Sequence, residues 1–158
     1  TTFSVKKTRE HGKGDVAEFR IVEEAAMEAK KSRPQPVWKI AYAGAIGGQA
    51  MTGIPAMERL REKFPALKIW PFELPLAKLD SEGLADTRVV VAEVLTTLNA
   101  TNQHSSEIRD EAQARSICAA LAERDANGKL AAMFGGEAKL TDAQKAKVSA
   151  EEGWILGI

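Results

Sequence analysis

The chain has almost no cysteine, no excess of either charge and no long apolar run, and each of these scarcities excludes a class of protein. Cys118 is the single cysteine, so no disulfide can form within the chain and no zinc site can be built from several thiolates. No apolar stretch approaches the roughly 18 residues that a transmembrane helix needs. Basic and acidic residues number 22 each, so no surplus of positive charge provides affinity for a long nucleic acid, although a small acidic site can still reach a phosphate-bearing ligand through bound metal ions. We expect a cytoplasmic protein.

What is present is typical of a globular domain. The 158 residues are 44% hydrophobic and 28% charged, which argues against disorder. A chain of this length buries roughly two thirds of the surface that its unfolded form exposes, so it needs neither a disulfide nor a structural metal to fold. We therefore expect a single domain over residues 1–158.

Apolar periodicity and turn residues predict alternating helices and strands, which is the pattern of an α/β domain. The predicted helices cover residues 15–31, 56–64, 107–124 and a short segment after a capping box at Thr141-Asp-Ala-Gln144. The predicted strands cover residues 67–70 and 87–95, and residues 37–43 are expected to be a short strand or an extended entry into the glycine-rich segment. Residues 73–86 are polar and predict a long loop, and residues 154–156 predict an apolar tail that docks on the core.

A carboxylate interrupts the most apolar of these strands. In RVVVAEVLTTL, residues 88–98, Glu93 shares one face with Val89, Val91 and Leu95 by the two-residue period of a strand. If that face is inside, an ionised carboxylate there must be protonated, paired with a cation or bound to a metal ion. Two readings stay open: Glu93 is functional, or it forms a structural ion pair where the strand meets solvent.

Two more acids lie at the start of the longest predicted helix. Ala114, Ile117, Cys118 and Leu121 form an apolar stripe, and the same spacing continued backward reaches Asp110 and Glu111. A helix N-terminus favours acids on any side, but not specifically on the buried side. If the helix packs across the strand, Glu93, Asp110 and Glu111 converge, and magnesium or manganese prefers such oxygen ligands.

Other motifs favour structural roles. The glycines around Gly44 and Gly48 match neither nucleotide-binding spacing and predict a tight bend or a close backbone approach. Cys118, on the apolar stripe, is expected to be a packed, inert thiol. A small-molecule site lined by Trp38, Tyr42 and Trp70 is a remote third alternative, because aromatic residues beside strands are usually core.

Five segments together resemble a known family. PVWKIAYAGAIGGQAMTGIPAMERLRE, KIWPFE, VVVAEVLTTL, DEAQARSICAALAERD and EEGWILGI, in this order, are similar to the predicted nucleases with a ribonuclease H-like fold, over roughly residues 19–158. The resemblance implies a mixed central sheet flanked by helices, with a carboxylate site at the sheet edge. It implies that Glu93 matches the family's later glutamate, and that Asp110 or Glu111 matches an acid on the following helix.

The chain departs from the family in two places. Val94 and Leu95 follow Glu93, where family members often have an aromatic residue and a proline. The family's first strand and its aspartate would lie upstream of Thr1, so we expect a chain that lacks the first strands, as a fragment of a longer chain, a truncated relative or one part of a larger assembly.

The leading functional hypothesis is metal-dependent phosphodiester hydrolysis, in which Glu93, Asp110 and Glu111 bind magnesium or manganese and act on a nucleic acid substrate. The alternative is a non-catalytic ribonuclease H-like module that acts through self-association, as a homodimer, or through a missing upstream segment that pairs with an open strand edge.

Overall fold

The computed structural model describes residues 17–29, 33–37, 39–40, 45–95, 108–136 and 139–158. Within these ranges the chain forms four α-helices and two short strands. In chain order they are α1 (Ile21–Glu28), α2 (Gly47–Lys63), β1 (Leu67–Ile69), β2 (Val89–Val91), α3 (Arg109–Ala126) and α4 (Asp142–Lys147). The predicted mixed α/β class is therefore confirmed. No helix in the described ranges is long and apolar enough to cross a membrane.

The two strands are parallel, and Leu67 pairs with Val89 while Ile69 pairs with Val91. The connection between them contains no helix or strand, so the loop predicted for residues 73–86 is confirmed. Just past β2, Glu93 forms a parallel bridge with Ile155, and the backbone N–H of Leu156 donates to the Glu93 carbonyl at 2.9 Å. The C-terminal segment thus lies beside the continuation of β2.

The core combines α1, the turn after β1 and the C-terminal segment. Its buried residues are Val22, Ala26, Trp70, Leu74, Leu79, Val148, Trp154, Ile155, Leu156 and Ile158. Trp70 also packs edge-on against Phe134, with ring centroids 5.4 Å apart. The indole N–H of Trp154 donates to the carbonyl of Ile158 at 3.0 Å, so the buried ring keeps its hydrogen bond. The predicted docking of the apolar tail is confirmed.

α2 begins earlier than predicted. It starts at Gly47 instead of residue 56, so Pro55 lies inside the helix and not in its first turn. The Gly47 N–H donates to the carbonyl of Lys39 at 2.9 Å, which fixes the start of the helix. A Cβ at Gly47 would come within 2.7 Å of the Val37 carbonyl oxygen, so the close backbone approach expected of these glycines occurs here.

α1 starts later than predicted. Residues 17–20 are not helical, and Arg20 is the N-cap of a helix that begins at Ile21. The position predicted as the cap, Asp15, lies outside the described residues. Of the two alternatives expected for residues 37–43, the strand is absent at the described positions, Val37, Lys39 and Ile40.

The two C-terminal helices agree with their local signals. α3 ends at its C-cap Asn127, and Gly128 follows with a φ of 66°. α4 begins at the predicted capping box, where Gln144 donates its N–H to the Thr141 hydroxyl at 3.3 Å and accepts the Thr141 N–H at 2.9 Å.

Candidate functional site

A buried arginine explains the carboxylate that follows β2. The residue Arg20 is only 7% exposed. Its two terminal nitrogens donate to the two carboxylate oxygens of Glu93, each at 2.9 Å. Its Nε donates to Glu23 and its Nη1 also donates to the backbone carbonyl of Glu152, both at 2.9 Å. We call Arg20, Glu23, Glu93 and Glu152 the Arg20 cluster. It connects α1, the end of β2 and the C-terminal segment.

Glu23 is the most deeply buried acid of this cluster, since the residue is 1% exposed. Besides the guanidinium, its carboxylate accepts the backbone N–H of Arg20 at 2.7 Å and so caps the start of α1. A carboxylate this far from solvent needs a cationic partner. Burial by itself lowers the pKa of Arg20, but hydrogen bonds and charge from Glu93 and Glu23 outweigh it and raise that pKa. Arg20 therefore stays charged.

Glu152 fastens the C-terminal segment to α1. Its carboxylate accepts the backbone N–H of Ile21 at 2.8 Å and lies 2.7 Å from the Lys147 ammonium. Burial pushes the pKa of Glu152 upward, but these two partners and Arg20 hold it below its ordinary value. The hydrogen bond to Glu152 raises the pKa of Lys147 in turn. Both groups are therefore ionised at neutral pH.

Glu93 is bound by Arg20 but is not enclosed. Its side chain is 42% exposed, whereas that of Arg20 is 8% exposed. Val89, on the same strand face, is itself 46% exposed, so this face is not the sealed interior that the apolar run predicts. The sequence left two alternatives open for Glu93, a functional role or a structural ion pair. The structure contains the ion pair, formed with Arg20. It leaves one side of the carboxylate open to solvent.

The two α3 acids lie at the surface. Asp110 and Glu111 are both exposed, and Glu111 pairs with Arg115 at 2.7 Å. The prediction that they continue the buried face of the helix is wrong. That face contains Ala112 and Ile117, which are 7% and 8% exposed.

The predicted stripe on α3 holds in part. Ile117 is buried and Leu121 packs against the core, but Ala114 and Cys118 are exposed, so the packed side of the helix is rotated from the expected one. The prediction of a packed thiol at Cys118 is wrong for the same reason. These two residues are small and contribute little apolar area to burial, so they give a weak signal for which side packs inward.

In the part of the chain that the structure describes, no group of three or more His, Cys, Asp or Glu side chains is arranged to hold a metal ion. The structure thus places Glu93 beside Arg20 and leaves Asp110 and Glu111 exposed on α3. Trp38 and Tyr42, named in the small-molecule alternative, lie outside the described residues. Trp70 is 2% exposed and belongs to the core.

Arg20, Glu23 and Glu152 are not among the predicted site residues. A signal for the first two exists, because the N-cap residue and a glutamate three positions later have the spacing of a capping box. Arginine is not a usual N-cap residue, so its spacing to Glu23 does not by itself predict the start of a helix. For Glu152 no local signal exists, since its partner Ile21 is 131 residues away in the chain.

Comparisons with protein-family models, with curated proteins and with solved structures give no match.

Proposed function

We propose that Glu93 belongs to a ribonuclease H-like carboxylate site and that the chain acts in metal-dependent phosphodiester hydrolysis. The observation that carries this proposal is the position of Glu93, directly past the carboxyl end of β2 in a parallel strand pair. In α/β sheets, ligands bind outside the carboxyl ends of the strands. The sequence resemblance to predicted nucleases supports the same residue independently of its position.

The Arg20 contact leaves part of the Glu93 carboxylate available. Each carboxylate oxygen has two lone pairs, and the two guanidinium hydrogen bonds use one lone pair on each oxygen. The remaining lone pairs, on a side chain that is 42% exposed, are suitable for a hard cation such as magnesium or manganese. When bound, such an ion activates water and stabilises the leaving oxygen of a phosphodiester.

In this proposal Arg20 is a positioning residue. Its buried guanidinium makes four hydrogen bonds and fixes the orientation of the Glu93 carboxylate. Functional carboxylates need this kind of support from neighbouring groups. Two-metal hydrolysis needs more anionic oxygens than Glu93 supplies. Asp110 and Glu111 stay candidate ligands because of the resemblance alone.

Manganese titration followed by calorimetry, together with cleavage assays on single- and double-stranded DNA and RNA, tests the proposal. We expect manganese binding and cleavage in the unchanged protein and the loss of both in Glu93→Gln, which keeps a hydrogen-bond acceptor for Arg20. Glu82→Gln, the same change at an exposed position of the connection between the strands, is the matched control. Asp110→Asn and Glu111→Gln determine whether the α3 acids contribute. If the unchanged protein neither binds manganese nor cleaves any of these substrates, the proposal is overturned.

A second candidate function is a non-catalytic ribonuclease H-like module that acts through self-association or a partner segment. It is favoured by large apolar side chains that are exposed at the start of α2, among them Met51 and Ile54, each 66% exposed. Measurement of the mass in solution distinguishes the two candidates. A stable dimer that does not respond to manganese favours the module, and a manganese-dependent nuclease favours hydrolysis.

A further inference from the structure

Three exposed apolar side chains lie along the start of α2. Ile40, Met51 and Ile54 are 61%, 66% and 66% exposed. A Cβ on Gly47 would lie 3.2 Å from Cγ1 of Ile40, which places that side chain against the first turn of α2. Met51 is four residues after Gly47 and Ile54 is three residues further, so all three lie along one side of the helix. We call these three residues the α2 stripe.

The charges near the α2 stripe are arranged unequally along the helix. The segment from Gly47 to Met57 contains no charged residue, and the N-cap Ile46 makes no side-chain capping hydrogen bond. The N-terminal end of a helix carries a partial positive charge, which an acid nearby stabilises. Glu58 is four residues after Ile54, on the same side. Its side chain is 59% exposed, and its Oε1 accepts a hydrogen bond from Nη1 of Arg61 at 2.9 Å, which leaves its second carboxylate oxygen for a further partner.

We propose that the α2 stripe is a self-association surface, at which the α2 helices of two copies pack antiparallel about a twofold axis. With the axis between Met51 and Ile54, Met51 of each copy contacts Ile54 of the other. Four residues further along, Glu58 then lies beside Gly47 in the first turn of the other copy's helix. Each carboxylate thus meets a positive helix end that has no acid of its own.

Charge does not oppose this arrangement. The chain carries equal numbers of acidic and basic residues, so two copies do not repel each other through net charge. The segment from Gly47 to Met57 contains no ionised side chain, so the centre of the contact contains no charge that would lose its water, and Glu58 meets the other helix only at the end of the contact. This inference rests on the self-association function proposed above, and it does not depend on hydrolysis.

Sedimentation velocity over a range of concentrations tests the surface. We expect a dimer whose dissociation constant rises about tenfold or more in Ile54→Lys, because a charge would enter the centre of the contact. Leu60→Lys is the matched control, since Leu60 is also exposed but lies on a different side of α2. Glu58→Lys is expected to weaken association more at low salt than at high salt.

A disulfide experiment tests the antiparallel orientation. In a Cys118→Ser background, Met51→Cys and Ile54→Cys proteins are oxidised separately and as a mixture. The proposal predicts a mixed disulfide between the two variants, whereas parallel helices would cross-link each variant with itself. A monomer at every concentration would overturn both this surface and self-association. A dimer that is unchanged by Ile54→Lys would overturn the surface alone.

Discussion

In the Arg20 cluster charged side chains are buried, whereas in the α2 stripe apolar side chains are exposed. Hydropathy predicts the opposite in both regions. The Arg20 cluster is possible because each buried charge has a partner of opposite charge. Arg20–Glu23 and Lys147–Glu152 are close in the sequence, whereas Arg20–Glu93 joins distant segments. The α2 stripe has no comparable partner among the described residues, where α2 contacts mainly β1. Buried charges and exposed apolar side chains are the informative exceptions in a fold. Here the charges connect α1, the end of β2 and the C-terminal segment, and the apolar side chains are exposed to solvent.

The largest effect is expected at the centre of the cluster. Arg20→Ala leaves Glu23, a residue that is 1% exposed, without its cationic partner, and we expect a loss of about 3–5 kcal/mol in the free energy of unfolding. Urea denaturation measures it. Arg115→Ala is the control, because Arg115 and Glu111 form a surface pair whose side chains are 70% and 48% exposed. That variant is expected to lose about 0–1 kcal/mol. Equal losses would show that the cluster does not contribute as described.

A matched pair of isoleucines compares the two regions directly. Ile155→Ala empties a core position that is 2% exposed and is expected to cost about 2–5 kcal/mol. Ile54→Ala changes a side chain that is 66% exposed and is expected to stay within about 0.5 kcal/mol at concentrations where the chain is monomeric. Thermal or urea unfolding at low concentration measures both. A large loss in Ile54→Ala under these conditions would mean that the stripe packs within its own chain.

The smallest effect depends on pH. The folded pKa of Glu152 is below its ordinary value of 4.5, so the ionised group stabilises the fold fully above that pH and less as the pH falls through the folded pKa. Glu152→Gln is therefore expected to be less stable than the unchanged chain at neutral pH. The difference should shrink as the pH is lowered below about 4.5. Denaturation curves collected between neutral and acidic pH measure this, and a difference that stays constant would contradict it.

Features with local causes were predictable from the sequence. The Thr141 capping box, the strand beginning at Leu67 and the end of α3 at Asn127 each depend on residues within one or two turns of each other. The observed start of α2, at Gly47, differs from the predicted start at residue 56, because glycine and proline, here Gly47 and Pro55, normally interrupt helices. Here a backbone contact to Lys39 sets the boundary instead.

The candidate site was only partly predictable. The unusual position of Glu93 was visible, because a carboxylate interrupts an apolar run. Its partner was not predictable, since Arg20 is 73 residues away in the chain and an arginine gives no local indication that it is buried. The buried side of α3 differs from the predicted one, because small side chains such as Ala114 and Cys118 can face either solvent or the core with little change in free energy.

The sequence by itself determined the mixed α/β class, the capping box at Thr141 and the docking of the apolar tail, because short-range hydrogen bonds and hydrophobic periodicity act within a few residues. Only the tertiary structure decided which charges are buried together and which apolar side chains are exposed. Both depend on how distant segments pack, and a buried guanidinium is tolerated only where the fold brings acceptors to nearly all of its donors.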